Sequence, residues 1–178
     1  MKFISFNHNN TEKFGIIENN LITDLTGKIS DAKSLKELIK IKKINDAKEY
    51  AKNNPGNISP NEIHYSPVIP NPGKIICVGL NYSEHVKETN RTIEENPVIF
   101  HRFPESQTSH LQPIQRPTVS ESLDFEGEMA VIMDEGGKHI KTEDALKHIV
   151  GFSCYNESTV REWQRHTRQF GMGKNFEK

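Results

Sequence analysis

Residues 123–131 read LDFEGEMAV, and their alternation constrains this chain more than any other stretch. As a strand, the segment sends Phe125, Gly127, Met129 and Val131 to one face and Asp124, Glu126, Glu128 and Ala130 to the other. Glu126 and Glu128 then stand side by side with only Gly127 between them. Like charges at that spacing repel, and each raises the pKa of the other. Either water screens them, as on an acidic, solvated strand face, or a cation holds them. Mg²⁺, Mn²⁺ or Ca²⁺ takes oxygen ligands and would remove the repulsion.

Composition narrows the class. The 178 residues suit an ordinary domain, and 23 Lys+Arg against 24 Asp+Glu leave a net charge of −1. That balance predicts no nucleic-acid partner and no anionic membrane surface. No stretch approaches the roughly 18 apolar residues of a membrane span, and MKFISFNHNN has no leader-like apolar run. Cys77 and Cys154 lack a metal or redox spacing and read as reduced thiols, which predicts a cytoplasmic protein. Hydrophobic residues make up 34%, and with the 11 glycines the chain still falls below the roughly 45–50% of soluble domains. A modest core follows, either because surface is buried against a partner or because the chain is incomplete.

Along the chain, residues 1–26 read as a β-meander with a tight turn at Asn19–Asn20. Residues 31–53 are helical in pattern: Leu35, Leu38, Ile39 and Ile41 form a stripe that Ile44 continues. Ser34 and Glu37 make a capping box, and Pro55-Gly56 ends the helix. Pro60, Pro67, Pro70 and Pro72 mark a connector, dividing a small N-terminal domain (1–70) from a second domain (71–178). In the second, KIICVGL, PVIFHRF, the acidic stretch and GFSCYNES read as strands, with short helices after Ser83 and Thr142. The end is helix-like from Val160 and loosens at Gly171 and Gly173. Runs of strands with short helices predict an α+β, β-rich fold. His85 and Glu88 share one helix face, a spacing equally at home on an exposed turn.

KIICVGLNYSEHVKE, LDFEGEMAVIM and GFSCYNESTVREWQRHTRQFGMGKNF together resemble, in order and spacing, the fumarylacetoacetate hydrolase family, and FGIIENNLITDLTG resembles its small leading domain. The resemblance implies a mixed β-roll, incomplete here because the family continues well beyond Lys178, so that the chain is expected to be C-terminally truncated. It also implies a homodimer and a divalent cation: Mg²⁺, Mn²⁺ or Ca²⁺.

Position by position, Glu126, Glu128 and Glu157 correspond to the metal carboxylates, Glu157 standing where the family has Asp. His85 corresponds to a water-activating base and Glu88 to the carboxylate that orients it. Lys174 corresponds to a lysine that stabilises a developing enolate. Arg102 and Gln164 correspond to substrate-binding positions. Arg161 reads either as part of a carboxylate site or as a structural ion-pair residue, the structural role being favoured, and Leu80 stands where some members carry Arg. The implied activity is metal-dependent hydrolysis of a C–C bond in a β-diketo, acylpyruvate-like acid. An isomerase or decarboxylase of hydroxymuconate-type dicarboxylates in aromatic compound catabolism is the alternative within the family. A truncated, catalytically silent binding or dimerisation module is the alternative outside enzyme chemistry.

Overall fold

The computed structural model describes residues 1–88 and 95–177, the side chain of His85 excepted. They form two compact units: Met1–Asn71 with Thr108–Pro113 and Gly127–Asn156, and Pro72–Gln107 with Ile114–Glu126 and Glu157–Lys178. In chain order the elements are β1 (Lys2–His8), β2 (Thr11–Glu18), β3 (Leu21–Asp24), α1 (Leu35–Lys40), α2 (Ile44–Asn53), β4 (His64–Tyr65), β5 (Ile75–Gly79), α3 (Ser83–Glu88), β6 (Val98–Arg102), β7 (Leu123–Asp124), β8 (Gly127–Met133), β9 (Ile149–Asn156), β10 (Thr159–Val160), α4 (Arg161–Gln164) and α5 (Gly171–Lys174). Helix and strand mix with strands dominant, as the α+β reading expects.

The first unit is built on a sheet of order β3-β2-β1-β4. His8 pairs with Thr11 and Glu18 with Leu21, leaving Asn9-Asn10 and Asn19-Asn20 as two-residue loops. All four asparagines have positive φ, the conformation that a hairpin matching strand twist requires. Phe14 and Ile16 point to one face of β2, where Leu25, Leu35, Leu38, Ile39, Ala47 and Ala51 bury against them. Phe6, Ile22 and Ile63 make a second cluster. A fully buried side chain of this size contributes about 1.5–3 kcal/mol.

The expected single helix over 31–53 is two. Ser34 Oγ accepts from the Glu37 N–H (3.2 Å), so the predicted start holds, while Glu37 Oε2 accepts from the Lys33 N–H rather than completing the box. At the other end the Lys43 N–H bonds the Leu38 carbonyl and the Lys42 N–H bonds that of Ile39, with Lys42 at φ +59°. This is a Schellman stop. Glycine normally occupies its left-handed position, and a lysine there hid the break. Ile41, counted in the apolar stripe, is consequently exposed. In the β8–β9 hairpin of the same unit, Ile132 and Val150 pack on the core, while Met129, Val131, Met133 and Phe152 face outward.

In the second unit β5 pairs with β6, Cys77 opposite Phe100, and β7 pairs with β10. Phe100 turns inward to meet Phe170 edge-on at 5.8 Å. Ile76, Val78 and Ile99 lie exposed on the opposite face of the ribbon.

Candidate active site

The acidic stretch is not one strand. β7 ends at Asp124, β8 begins at Gly127, and Phe125 and Glu126 lie between them. Asp124 Oδ1 accepts from the Phe125 N–H (2.9 Å), a local side-chain bond that competes with the ladder. The break has a consequence in the second unit. Asp124 pairs with Thr159, and the Glu157 N–H donates to the Glu126 carbonyl (2.8 Å). Glu126 thereby faces Glu157, 31 positions away. Glu128, expected beside Glu126, lies on β8 in the first unit, opposite Tyr155.

Three cations fill the space around these carboxylates. Lys174 Nζ donates to Glu126 Oε1 and Oε2 (both 3.0 Å) and to Glu157 Oε2 (2.6 Å). Arg102 Nη1 donates to Glu157 Oε1 (2.7 Å) and to the Ser158 carbonyl (3.0 Å), and its Nε to Ser106 Oγ (3.3 Å). Arg161 Nη1 donates to Glu126 Oε1 (2.6 Å) and Gln164 Oε1 (3.2 Å), and its Nε to Asp124 Oδ2 (2.8 Å). The result is an alternating chain: Asp124, Arg161, Glu126, Lys174, Glu157, Arg102. Lys174, Arg102 and Glu157 are 2%, 5% and 5% exposed, so one end is sealed; the Asp124–Arg161 end is open. Thr159, fully buried, donates its hydroxyl to Glu126 Oε1 (2.8 Å) or to the Glu157 carbonyl (3.0 Å).

Backbone packing sets this geometry. The Arg161 N–H bonds the Ser122 carbonyl and the Glu162 N–H bonds Ser122 Oγ, which ties the start of α4 to the segment preceding β7. Gly173 lies so close to α4 that a Cβ there would sit 2.4 Å from the Gln164 nitrogen and 2.6 Å from the Val160 carbonyl oxygen. Only glycine lets α5 approach and drive Lys174 between the carboxylates. The loosening expected at Gly171 and Gly173 is instead the short helix α5.

Electrostatics divide the two glutamates. Burial pushes Glu126 up, but Lys174, Thr159 and Arg161 outweigh it and hold the carboxyl below its ordinary range. Burial pushes Glu157 up as well, and there Lys174 and Arg102 do not fully offset it.

Of the residues singled out in the sequence, Glu126, Glu157, Lys174, Arg102 and Gln164 come together in this cluster. His85 and Glu88 lie on α3 of the same unit; the His85 side chain is outside the described residues, and Glu88 is exposed. Asp124 and Thr159 were missed as members. Their signal is positional: each stands two residues along the chain from a cluster glutamate. Arg161 makes the ion pairs expected of it.

Among the described residues no three of His, Cys, Asp and Glu converge as a metal-binding group. The donor set is nevertheless right in kind for a hard divalent ion: oxygens of two carboxylates within 3.0 Å of a single point, the Lys174 nitrogen.

The family model Fumarylacetoacetate (FAA) hydrolase C-terminal matches residues 74–178. The chain is 39% identical over 111 residues to oxaloacetate tautomerase fahd2, mitochondrial, of Xenopus laevis, covering 61% of this chain and 35% of that protein. It is 36% identical over 118 residues to human oxaloacetate tautomerase FAHD2A, mitochondrial, covering 65% and 38%. Among solved structures, a fumarylacetoacetate hydrolase from Exiguobacterium antarcticum superposes with a TM-score of 0.82 at 29% identity over 99% of this chain and 62% of that one. A maleylpyruvate hydrolase from Sphingobium sp. SYK-6, in complex with manganese(II) and pyruvate, shares the fold with a TM-score of 0.76 at 19% identity, over 98% and 63% of the two chains. The chain thus spans little more than a third of the length of these curated relatives. No described helix is long and apolar enough to cross a membrane.

Proposed function

Because the chain belongs to the fumarylacetoacetate hydrolase family, matched over residues 74–178, we propose that it is a divalent-metal-dependent hydrolase that cleaves a C–C bond in a β-diketo, acylpyruvate-like acid through its enolate. The observation that carries this reading is the convergence of Glu126, Glu157 and Lys174 within 3.0 Å, flanked by two guanidinium groups. Such a cluster can hold an anionic oxo acid and neutralise charge that develops on its oxygen.

Glu126 and Glu157 would hold the metal. A bound Mg²⁺, Mn²⁺ or Ca²⁺ supplies Lewis acidity toward the substrate's oxygens. The Lys174 ammonium donates a hydrogen bond to the oxygen that gains charge. Arg102, expected to bind substrate, is sealed against Glu157 and acts in this reading by fixing that carboxylate. The more exposed Arg161, with Gln164 beside it, is the cation nearest to solvent and attracts the substrate carboxylate to the open end. His85 removes a proton from water, and Glu88 fixes its tautomer.

A second reading is keto–enol tautomerisation, or decarboxylation, of an oxaloacetate-type dicarboxylate. The names of the frog and human relatives, at 39% and 36% identity, favour it. Both readings share the enolate and differ in whether water is consumed. The full chain, incubated with Mn²⁺ or Mg²⁺ and acetylpyruvate or oxaloacetate, separates them. Hydrolysis yields pyruvate and a second acid, whereas tautomerisation changes only the enol absorbance. No metal-dependent conversion of either compound would refute both and leave the binding or dimerisation module. A cytoplasmic homodimer belongs to the proposal, and light scattering of the purified chain tests the dimer.

A further inference from the structure

We propose that Lys174 is an internal counter-ion that a divalent cation displaces, so that metal loading is what frees the amine for substrate. The inference rests on the metal reading above and adds to it an exchange within this chain.

The ammonium group has three donors, and the structure supplies three acceptors: both oxygens of Glu126 and one of Glu157. Its remaining side lies 4.9 Å from the centre of the Phe100 ring. While these bonds hold, Lys174 has no proton left for a substrate oxygen. Charge leads to the same conclusion. Among the described residues, Asp124, Glu126 and Glu157 are matched by Arg102, Arg161 and Lys174, three against three. A divalent ion added to this cluster would bring two uncompensated positive charges, and withdrawal of one cation halves that excess.

Geometry selects which one. Arg102 is anchored by Glu157, Ser158 and Ser106 at the sealed end. Arg161 bonds Glu126 but not Glu157, and is tied as well to Asp124 and Gln164. Of these three cations, Lys174 alone bridges the two glutamates, the place a metal would take. Its oxygens lie at 2.6–3.0 Å, and a hard divalent ion draws such oxygens in to roughly 2.0–2.6 Å. Metal and ammonium cannot share that point, and a flexible four-carbon stem lets the lysine withdraw.

Two measurements on the full chain test the exchange. The first is Mn²⁺ binding followed by electron paramagnetic resonance, in wild type, Lys174→Met and Glu126→Gln. The second needs no variant at position 174: acylation of lysines by an amine-reactive ester, with and without Mg²⁺, read by mass spectrometry at Lys174. We expect Lys174→Met to bind Mn²⁺ about tenfold or more tighter than wild type, and Glu126→Gln to lose binding. Lys174 acylation should rise severalfold with Mg²⁺, over the concentration range in which the metal binds. Mn²⁺ bound by Lys174→Met but not by wild type also supports the exchange. Mn²⁺ bound by wild type with Lys174 equally protected from acylation overturns this inference and leaves the metal reading standing. Absence of Mn²⁺ from both wild type and Lys174→Met overturns both.

Discussion

Replacing Arg102 with Met tests whether the sealed end of the charge chain is held by electrostatics or merely tolerated. Met keeps much of the apolar stem and removes the guanidinium. Arg102 and Glu157 side chains are 4% and 6% exposed, so water does not replace the lost partner. Breaking a buried pair from one side costs about 3–5 kcal/mol. Glu157 keeps Lys174 at 2.6 Å, which places the expected loss near the lower bound, about 3 kcal/mol. In urea that is a midpoint shift of about 1–3 M.

The readout is fluorescence of Trp163, the only tryptophan, which lies in this unit and packs edge-on against Phe176 at 5.5 Å. The loss must depend on pH with a defined sign. Burial already raises Glu157 above its ordinary value of 4.5, and removing Arg102 raises it further. A carboxylate raised in the folded state destabilises the fold above its folded pKa, and that penalty is relieved as pH falls through it. The variant should therefore lie closer to wild type in mild acid than at neutral pH. Adding Glu157→Gln should recover more than half of the loss at neutral pH, since the orphaned charge is gone. A loss below about 1 kcal/mol, or a double variant no more stable than Arg102→Met, refutes the reasoning.

Thr159→Val keeps the shape and removes the hydroxyl that reaches Glu126; with Lys174 and Arg161 still in place, we expect a loss of about 1–2 kcal/mol by the same fluorescence assay. Gly173→Ala forces a Cβ against the backbone of Val160 and Gln164, neither of which can rotate away, and should cost about 1–3 kcal/mol or more and weaken Mn²⁺ binding by shifting Lys174. In the first unit burial pushes Asp24 up, but the bonds from Lys13 and Thr26 hold it below its ordinary 3.8. Its contribution is therefore present above that value and lost as pH falls through the lower folded one, and Asp24→Asn should flatten the acid limb of that unit's stability, measured by circular dichroism. His85→Ala should abolish turnover while Mn²⁺ binding persists; wild-type turnover in that variant rules out His85 as the base.

What the sequence made legible was local. The Asn19-Asn20 hairpin needs only two residues that tolerate positive φ, and the start of α1 needs only a Ser before an apolar stripe. The stop of α1 was local too, but written with Lys42 where glycine is the usual sign. The site depends on something that alternation cannot carry. Period two tells which residues share a face and says nothing of which residue stands across the ladder. Read along the strand, Glu126 belonged with Glu128; read across it, Glu126 belongs with Glu157, because the Glu157 N–H bonds the Glu126 carbonyl.

Lys174 illustrates the same limit. A lysine after Gly-Met-Gly looks like an exposed helix end, and only the resemblance assigned it to the site. Its burial follows from Gly173, whose missing side chain lets two short helices touch. Once the lysine is driven in, the two glutamates are no longer a bare repelling pair, because the chain itself supplies a first cation between them. The charge alternation from Asp124 to Arg102 is therefore a property of the folded unit, assembled from four stretches of chain, of which only residues 157–161 supply both signs.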